Sequence, residues 1–136
     1  MKDKTIKVLF ICKSNTGRSQ MAAAFLKKIK PELFVMDAGS QVGQRAGTII
    51  HEYVIDVMRE VGFDLSKQTR KQLTPELAKV ANKIIVMDEK GNLPDYLLGS
   101  GKVTFWDIED AAGTDLAFHR KIRDQIKNLV ENNLSS

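Results

Sequence analysis

Residues 6–19, IKVLFICKSNTGRS, run from an apolar segment into a polar loop that carries a cysteine at its head and an arginine six positions later. The apolar half is mostly β-branched and aromatic and too short for a helix, which predicts a buried strand. The polar half stops it. Beyond, QMAAAFLKKIK leads to Pro31 with Met21, Phe25 and Ile29 at helical spacing, so a helix is expected with Ser19 as its N-cap. A strand, a tight polar loop and a helix at the head of the chain point to an α/β fold.

The same alternation continues outward from this unit. LFVMDAGS reads as a second strand, and residues 48–62, TIIHEYVIDVMREVG, place Ile50, Tyr53, Val54, Val57, Met58 and Val61 at helical spacing before Gly62 as a stop. TPELAKVAN opens a helix with Thr74 as cap and Pro75 in the first turn. KIIVMD is a third strand, NLPDYLLG a short helix or turn, KVTFWD a fourth strand, and residues 114–133 a terminal helix. Strands alternating with helices imply right-handed crossovers, hence a parallel four-stranded sheet between two helical layers: a three-layer α/β sandwich. Length and the lack of a linker predict one domain over 1–136. In such sheets ligands sit beyond the carboxyl ends of the strands, where strand order reverses. Cys12, Asp88 and Asp107 to Asp110 all follow strand ends, and so are expected on one edge.

Composition narrows the partners. The 136 residues are 43% hydrophobic and 28% charged, ordinary for a soluble globular chain. The apolar run near the start is too short for a secretion signal, and no stretch approaches the ~20 residues a membrane span needs. A cytoplasmic protein is expected, with no membrane partner. A net charge of +4 favours anions mildly, and the basic run KKIK at 27–30 reads as the solvated end of a helix, not a nucleic-acid site. The single cysteine forms no internal disulfide. His51 and His119 lack metal-ligand spacing; His51 is expected packed or exposed on its helix, and His119 solvated.

The loop CKSNTGRS joins strand to helix, so its backbone N–H groups and the helix N-terminus can converge on an anion. Asn15 tolerates a left-handed conformation, Gly17 relieves crowding at the turn, and Arg18 offers a planar fork for two oxyanion oxygens. Helix N-termini and cations also favour thiolate over thiol, which makes Cys12 a nucleophile facing a bound phosphate. A leaving group would need a proton, and WDIEDAAG supplies three acids, Asp107, Glu109 and Asp110, of which one suffices. Two other readings compete. NTGRS is similar to the end of the nucleotide loop G-x-x-x-x-G-K-[ST], but Cys12 stands at the first glycine and Arg18 at the lysine. A cysteine at a strand end is also commonly a small core residue.

With C-x5-R-S after an apolar strand, followed in order by DAGS, VGFDLSKQTRKQLTPEL, IIVMDEKGNL and WDIEDAAG, the chain resembles the low-molecular-weight protein tyrosine phosphatases and the arsenate reductases that share their fold. The resemblance implies that Cys12 becomes a phosphocysteine, that Arg18 clamps the equatorial oxygens, and that Asn15 holds the loop's shape. Ser19 would steady the thiolate, and Lys13, Ser14, Asn15, Thr16, Gly17, Arg18 and Ser19 together would bind the substrate. Asp110 falls at the family's general acid, with Ala111 in place of the usual proline. Ser14 and Gly17 stand where the family has glycine and a second cysteine, so a disulfide within the loop is excluded. AAG after Asp110 lacks the aromatics that grip phosphotyrosine and is small, as in arsenate reductases. The implied activity is phosphomonoester hydrolysis on a phosphorylated protein or small phosphoester, with phosphate or another oxyanion in the loop and no metal or organic cofactor. An arsenate reductase using an external thiol and a non-catalytic oxyanion-binding regulator are the alternatives.

Overall fold

A computed structural model describes residues 5–135 of the chain. The expectation about a secretion signal falls partly on residues 1–4, outside the described residues. No described helix is long and apolar enough to cross a membrane.

The predicted alternation folds into one sheet. Strand β1 (Lys7–Cys12) pairs in parallel with β2 (Phe34–Gly39) on one side and β3 (Lys83–Val86) on the other, and β4 (Val103–Phe105) adds beyond β3. The order is β2-β1-β3-β4. The chain therefore leaves β1 for one edge and returns past it to build the other, so the switch point lies at the carboxyl end of β1, at Cys12.

Central position explains the composition of β1. Val8 through Cys12 are all buried, because both faces of a parallel sheet are covered. The pleat sends Val8 and Phe10 to one layer, where they meet α1 (Arg18–Ile29), α2 (Glu52–Arg59) and α5 (Leu116–Leu134). Leu9 and Ile11 face the other layer, against α3 (Pro75–Val80) and α4 (Asp95–Leu98). Emptying the Phe10 site by Phe10→Ala is the kind of cavity that costs about 3–5 kcal/mol. Thr74 caps α3 as expected, its Oγ1 accepting from Leu77 N, with Pro75 at the first helical position.

Two expected element starts differ. The second helix begins at Glu52, not at residue 48: Ile49 bridges Thr69, and the backbone of Gly47 and Thr48 pairs with Arg70. Those groups are already spent on an antiparallel ladder, so the helix waits for His51, whose Nδ1 caps it by accepting from Tyr53 N at 3.0 Å. At the first helix the N-cap is Gly17, which offers no side-chain cap, and Ser19 lies inside α1 with its hydroxyl turned to the loop.

Candidate active site

Residues 13–17 leave β1 and close into a loop that hands directly to α1. Asn15 makes the turn with φ of 52°, the one described non-glycine residue with positive φ. Short polar side chains visit this region with least strain, and Asn15 adds local bonds that fix it there. Its Nδ2 donates to Ser19 Oγ (2.7 Å) and Asp37 Oδ1 (2.8 Å), while its Oδ1 accepts from Lys71 N and Gln20 Nε2. Asn15 and Ser19 have no exposed surface at all. Asp37 is buried too, and its charge is met by Lys71 Nζ at 2.9 Å. A buried carboxylate without that ammonium would be costly.

The bonds of the loop have a direction. The carbonyls of Cys12, Lys13, Asn15 and Gly17 accept from Ser40 N, Gln41 N, Gln20 Nε2 and Met21 N. By contrast, among the described residues no protein acceptor takes the backbone N–H groups of residues 13–18. Carbonyls turned into the protein and N–H groups left over are what an anion cradle requires. Gly39, paired with Cys12 across the sheet, lets the loop sit this low: a Cβ there would lie 2.7 Å from Lys13 O and 2.8 Å from Asn15 N. Gly17 has no such duty. Its φ is −140°, and an added Cβ would meet only Val54 Cγ2 at an ordinary 3.6 Å, so the expected relief of crowding at Gly17 is overturned. Asn15 and Gly39 perform it instead.

Cys12 Sγ lies 3.0 Å from Ser19 Oγ. Ser19 Oγ already accepts from Asn15, which leaves its own proton for the sulfur. Arg18, the first residue of α1, reaches over the cradle: Nη1 donates to Ile108 O (3.0 Å), and Nη2 stands 3.7 Å from Asp110 Oδ2. The other Asp110 oxygen accepts from Ala112 N. Thr16 Oγ1 ties the loop to α2 by accepting from His51 N at 2.7 Å, whereas Lys13 is exposed and Ser14 half-buried at the rim.

The carboxyl edge does gather the segments expected there, and it separates the acids. A cavity of about 60 Å³ is lined by Cys12, Ser14, Thr16, Gly17 and Arg18 on one side and by Asp110, Ala111 and Ala112 on the other. An adjoining groove of about 670 Å³ holds Asp88, Glu89, Asp107 and Glu109. Of the three acids after β4, only Asp110 lines both spaces. Asp88 is engaged in structure, accepting from Ser40 Oγ, Glu89 N and Asn92 Nδ2.

Sequence reasoning missed one feature. His119 is buried, 3% exposed, contrary to the solvated position expected for it. It lines the small cavity together with His51, on which it stacks at 5.7 Å, and Tyr53 meets both rings edge-on. The signal was faint: position 119 lies three residues before Ile122 on the terminal helix, hence near its buried face.

A family model described as low molecular weight phosphotyrosine protein phosphatase matches residues 7–136. The glutaredoxin arsenate reductase of Synechocystis sp. is 34% identical over 128 residues, 93% of this chain and 94% of that protein. Among solved structures, an arsenate reductase in the phosphate binding state superposes with a TM-score of 0.79 at 33% identity, covering 94% of this chain and 95% of the other. Vibrio vulnificus Wzb in complex with benzylphosphonate superposes with a TM-score of 0.84, covering 93% and 95%; at 23% identity this is a likeness of fold.

Proposed function

The chain belongs to the low molecular weight phosphotyrosine protein phosphatase family, whose members are cysteine-dependent phosphatases or arsenate reductases, and from that premise we propose that it is a phosphomonoester hydrolase. The observation that carries this reading is Asp110 at the mouth of the cavity that holds Cys12, in a sequence of 136 residues with a single cysteine.

The substrate phosphoryl group rests on the N–H groups of residues 13–18 with Arg18 across its equatorial oxygens. Cys12 attacks phosphorus, forming the S–P bond as the P–O bond to the leaving group breaks, and Asp110 gives that oxygen a proton. Asp110, now a carboxylate, takes a proton from water as its oxygen bonds phosphorus and the S–P bond breaks, returning Cys12 as thiolate and releasing phosphate. Ser19 steadies the sulfur charge at both ends of the cycle. Neither step calls for a metal or an organic cofactor.

A second reading, arsenate reduction with an external thiol, is favoured by the identity to arsenate reductases and by Ala111 and Ala112, which leave little surface for a bulky leaving group. Reduction needs further thiols to supply two electrons, and these residues contain no second cysteine for an internal disulfide. Purified protein is assayed for phosphate release from aryl phosphates, and separately for arsenite formation with thioredoxin or with glutathione and a glutaredoxin. Phosphate release with arsenate acting as a competitive inhibitor is expected. Efficient arsenite formation with negligible phosphate release would replace the first reading with the second.

A further inference from the structure

We propose that His119 is an oxyanion-site residue, taking up a proton on Nε2 as a dianion enters the cradle. The proposal rests on the reading of the cradle as an oxyanion site, and it assigns work to a buried ring that the hydrolytic steps leave unused.

The tautomer follows from the partners. His119 Nδ1 lies 2.8 Å from the carbonyl oxygen of Asp115, which can only accept, and 3.4 Å from Thr114 Oγ1, whose own proton goes to the Ala111 carbonyl, so Nδ1 carries the hydrogen. Nε2 of the neutral ring is therefore a lone pair. No hydrogen bond engages it, although the residue is 97% buried by its 3% exposure and lines the cavity shared with Cys12. Nε2 is thus a ring nitrogen without a protein partner on a side chain that lines a cavity shared with a nucleophile, and it is placed to meet a ligand there.

His51 is the rival for that proton, and geometry decides between the two. His51 Nδ1 accepts from Tyr53 N, so its neutral ring holds hydrogen on Nε2, and a second proton on Nδ1 would break the cap of α2. A second proton on His119 breaks no hydrogen bond. The rings stack at 5.7 Å with 19° between their planes, so two imidazolium charges there would repel, and one proton is the limit.

The groups facing His119 set the sign. Arg18 at the head of α1 opposes a positive charge; Asp110 from the segment after β4 favours it; thiolate at Cys12 favours it; His51, the cap of α2, and Tyr53 in its first turn add no charge when neutral; Asp115, the cap of α5, presents a carbonyl and keeps its carboxylate on Phe118 N. A dianion on the cradle outweighs Arg18, and proton and anion then enter together. Linkage is reciprocal, so oxyanion affinity rises as pH falls through the histidine range.

Sulfate is the probe, since it stays dianionic across that range, and Cys12→Ser removes the sulfur from the titration. Calorimetry of sulfate binding to this variant in buffers of different ionisation enthalpy counts the protons taken up. About half a proton or more per sulfate is expected near pH 6.5, falling close to none when His119→Phe or His119→Gln is added and persisting when His51→Asn is added instead. In the Cys12→Ser protein itself, the His119 Cε1–H resonance should move to the imidazolium position on saturation with sulfate. Equal uptake in the His119 variants, or a resonance that sulfate leaves unmoved, overturns the proposal. Turnover plays no part in these readouts. Proton-linked sulfate binding in a protein that neither hydrolyses phosphoesters nor reduces arsenate would leave this inference standing and sink the proposed function, whereas sulfate that fails to bind would sink both.

Discussion

The loop of residues 13–17 and the segment after β4 face each other across one cavity and are built on opposite principles. The loop is anchored into the protein by two side chains, Asn15, which is buried and joined to Ser19, Asp37, Lys71 and Gln20, and Thr16, whose Oγ1 accepts from His51 N. The segment after β4 is secured mainly to itself, Asp110 to Ala112 N and Thr114 to the Ala111 carbonyl, with Arg18 reaching across to the Ile108 carbonyl and to Asp110. Asp110's side chain is half exposed, at 51%, against 10% for Arg18. Binding a charged group rewards fixed dipoles that need no reorganisation. Delivering a proton rewards a group that can meet different leaving groups, and a 3.7 Å pair to an arginine holds Asp110 loosely enough for that.

Substitutions can break or sharpen this contrast. Cys12→Ser is expected to abolish turnover, a loss of roughly 10⁴-fold or more as for other covalent nucleophiles, while sulfate binding measured by calorimetry changes little. Full turnover in the variant would remove Cys12 from the reaction. Asp110→Asn should slow hydrolysis about 10²- to 10⁴-fold, most for esters with poor leaving groups, and leave thermal stability nearly unchanged. If Glu109→Gln or Asp107→Asn shows that leaving-group pattern instead, the acid belongs to the larger groove. Asn15→Ala should do the reverse, lowering stability by about 1–3 kcal/mol through the partners left buried and unsatisfied, and weakening oxyanion binding and turnover together. The smallest effect is expected of Lys71→Met: with Nζ partly exposed, roughly 1 kcal/mol of stability from the uncovered Asp37, read by denaturant unfolding, and no change in leaving-group dependence.

The asymmetry also explains what could be read from the sequence. The strand, the loop and α1 were legible because they obey local rules: an apolar run, a stop, and helical spacing after it. Asn15 as the left-handed residue followed from its short amide. The rest depended on distant partners. Ser19 reads as a cap by its position near a helix start, yet its hydroxyl is claimed by Cys12 and Asn15. Gly17 looked like the crowded glycine, while the crowding is at Gly39, which only the pairing of β2 with β1 brings beneath the loop. His119, expected to be solvated, is buried against His51, and that stack joins positions 68 residues apart, with only the spacing to Ile122 as a local hint. Asp37 and Lys71 carried no signal either, since a buried ion pair shows only when both ends are placed.

The long reach of those bonds also orders events in time. Asn15 meets Asp37 across 22 positions and Lys71 across 56, and Arg18 meets the Ile108 carbonyl across 90. Closing such spans carries an entropic cost before any contact returns it, so the cradle can assemble only after the sheet has found its register. The transition state for folding should therefore lack the anion site. Oxyanions that bind the native protein will then slow its unfolding without speeding its folding, and a chevron plot taken in sulfate should shift only its unfolding arm.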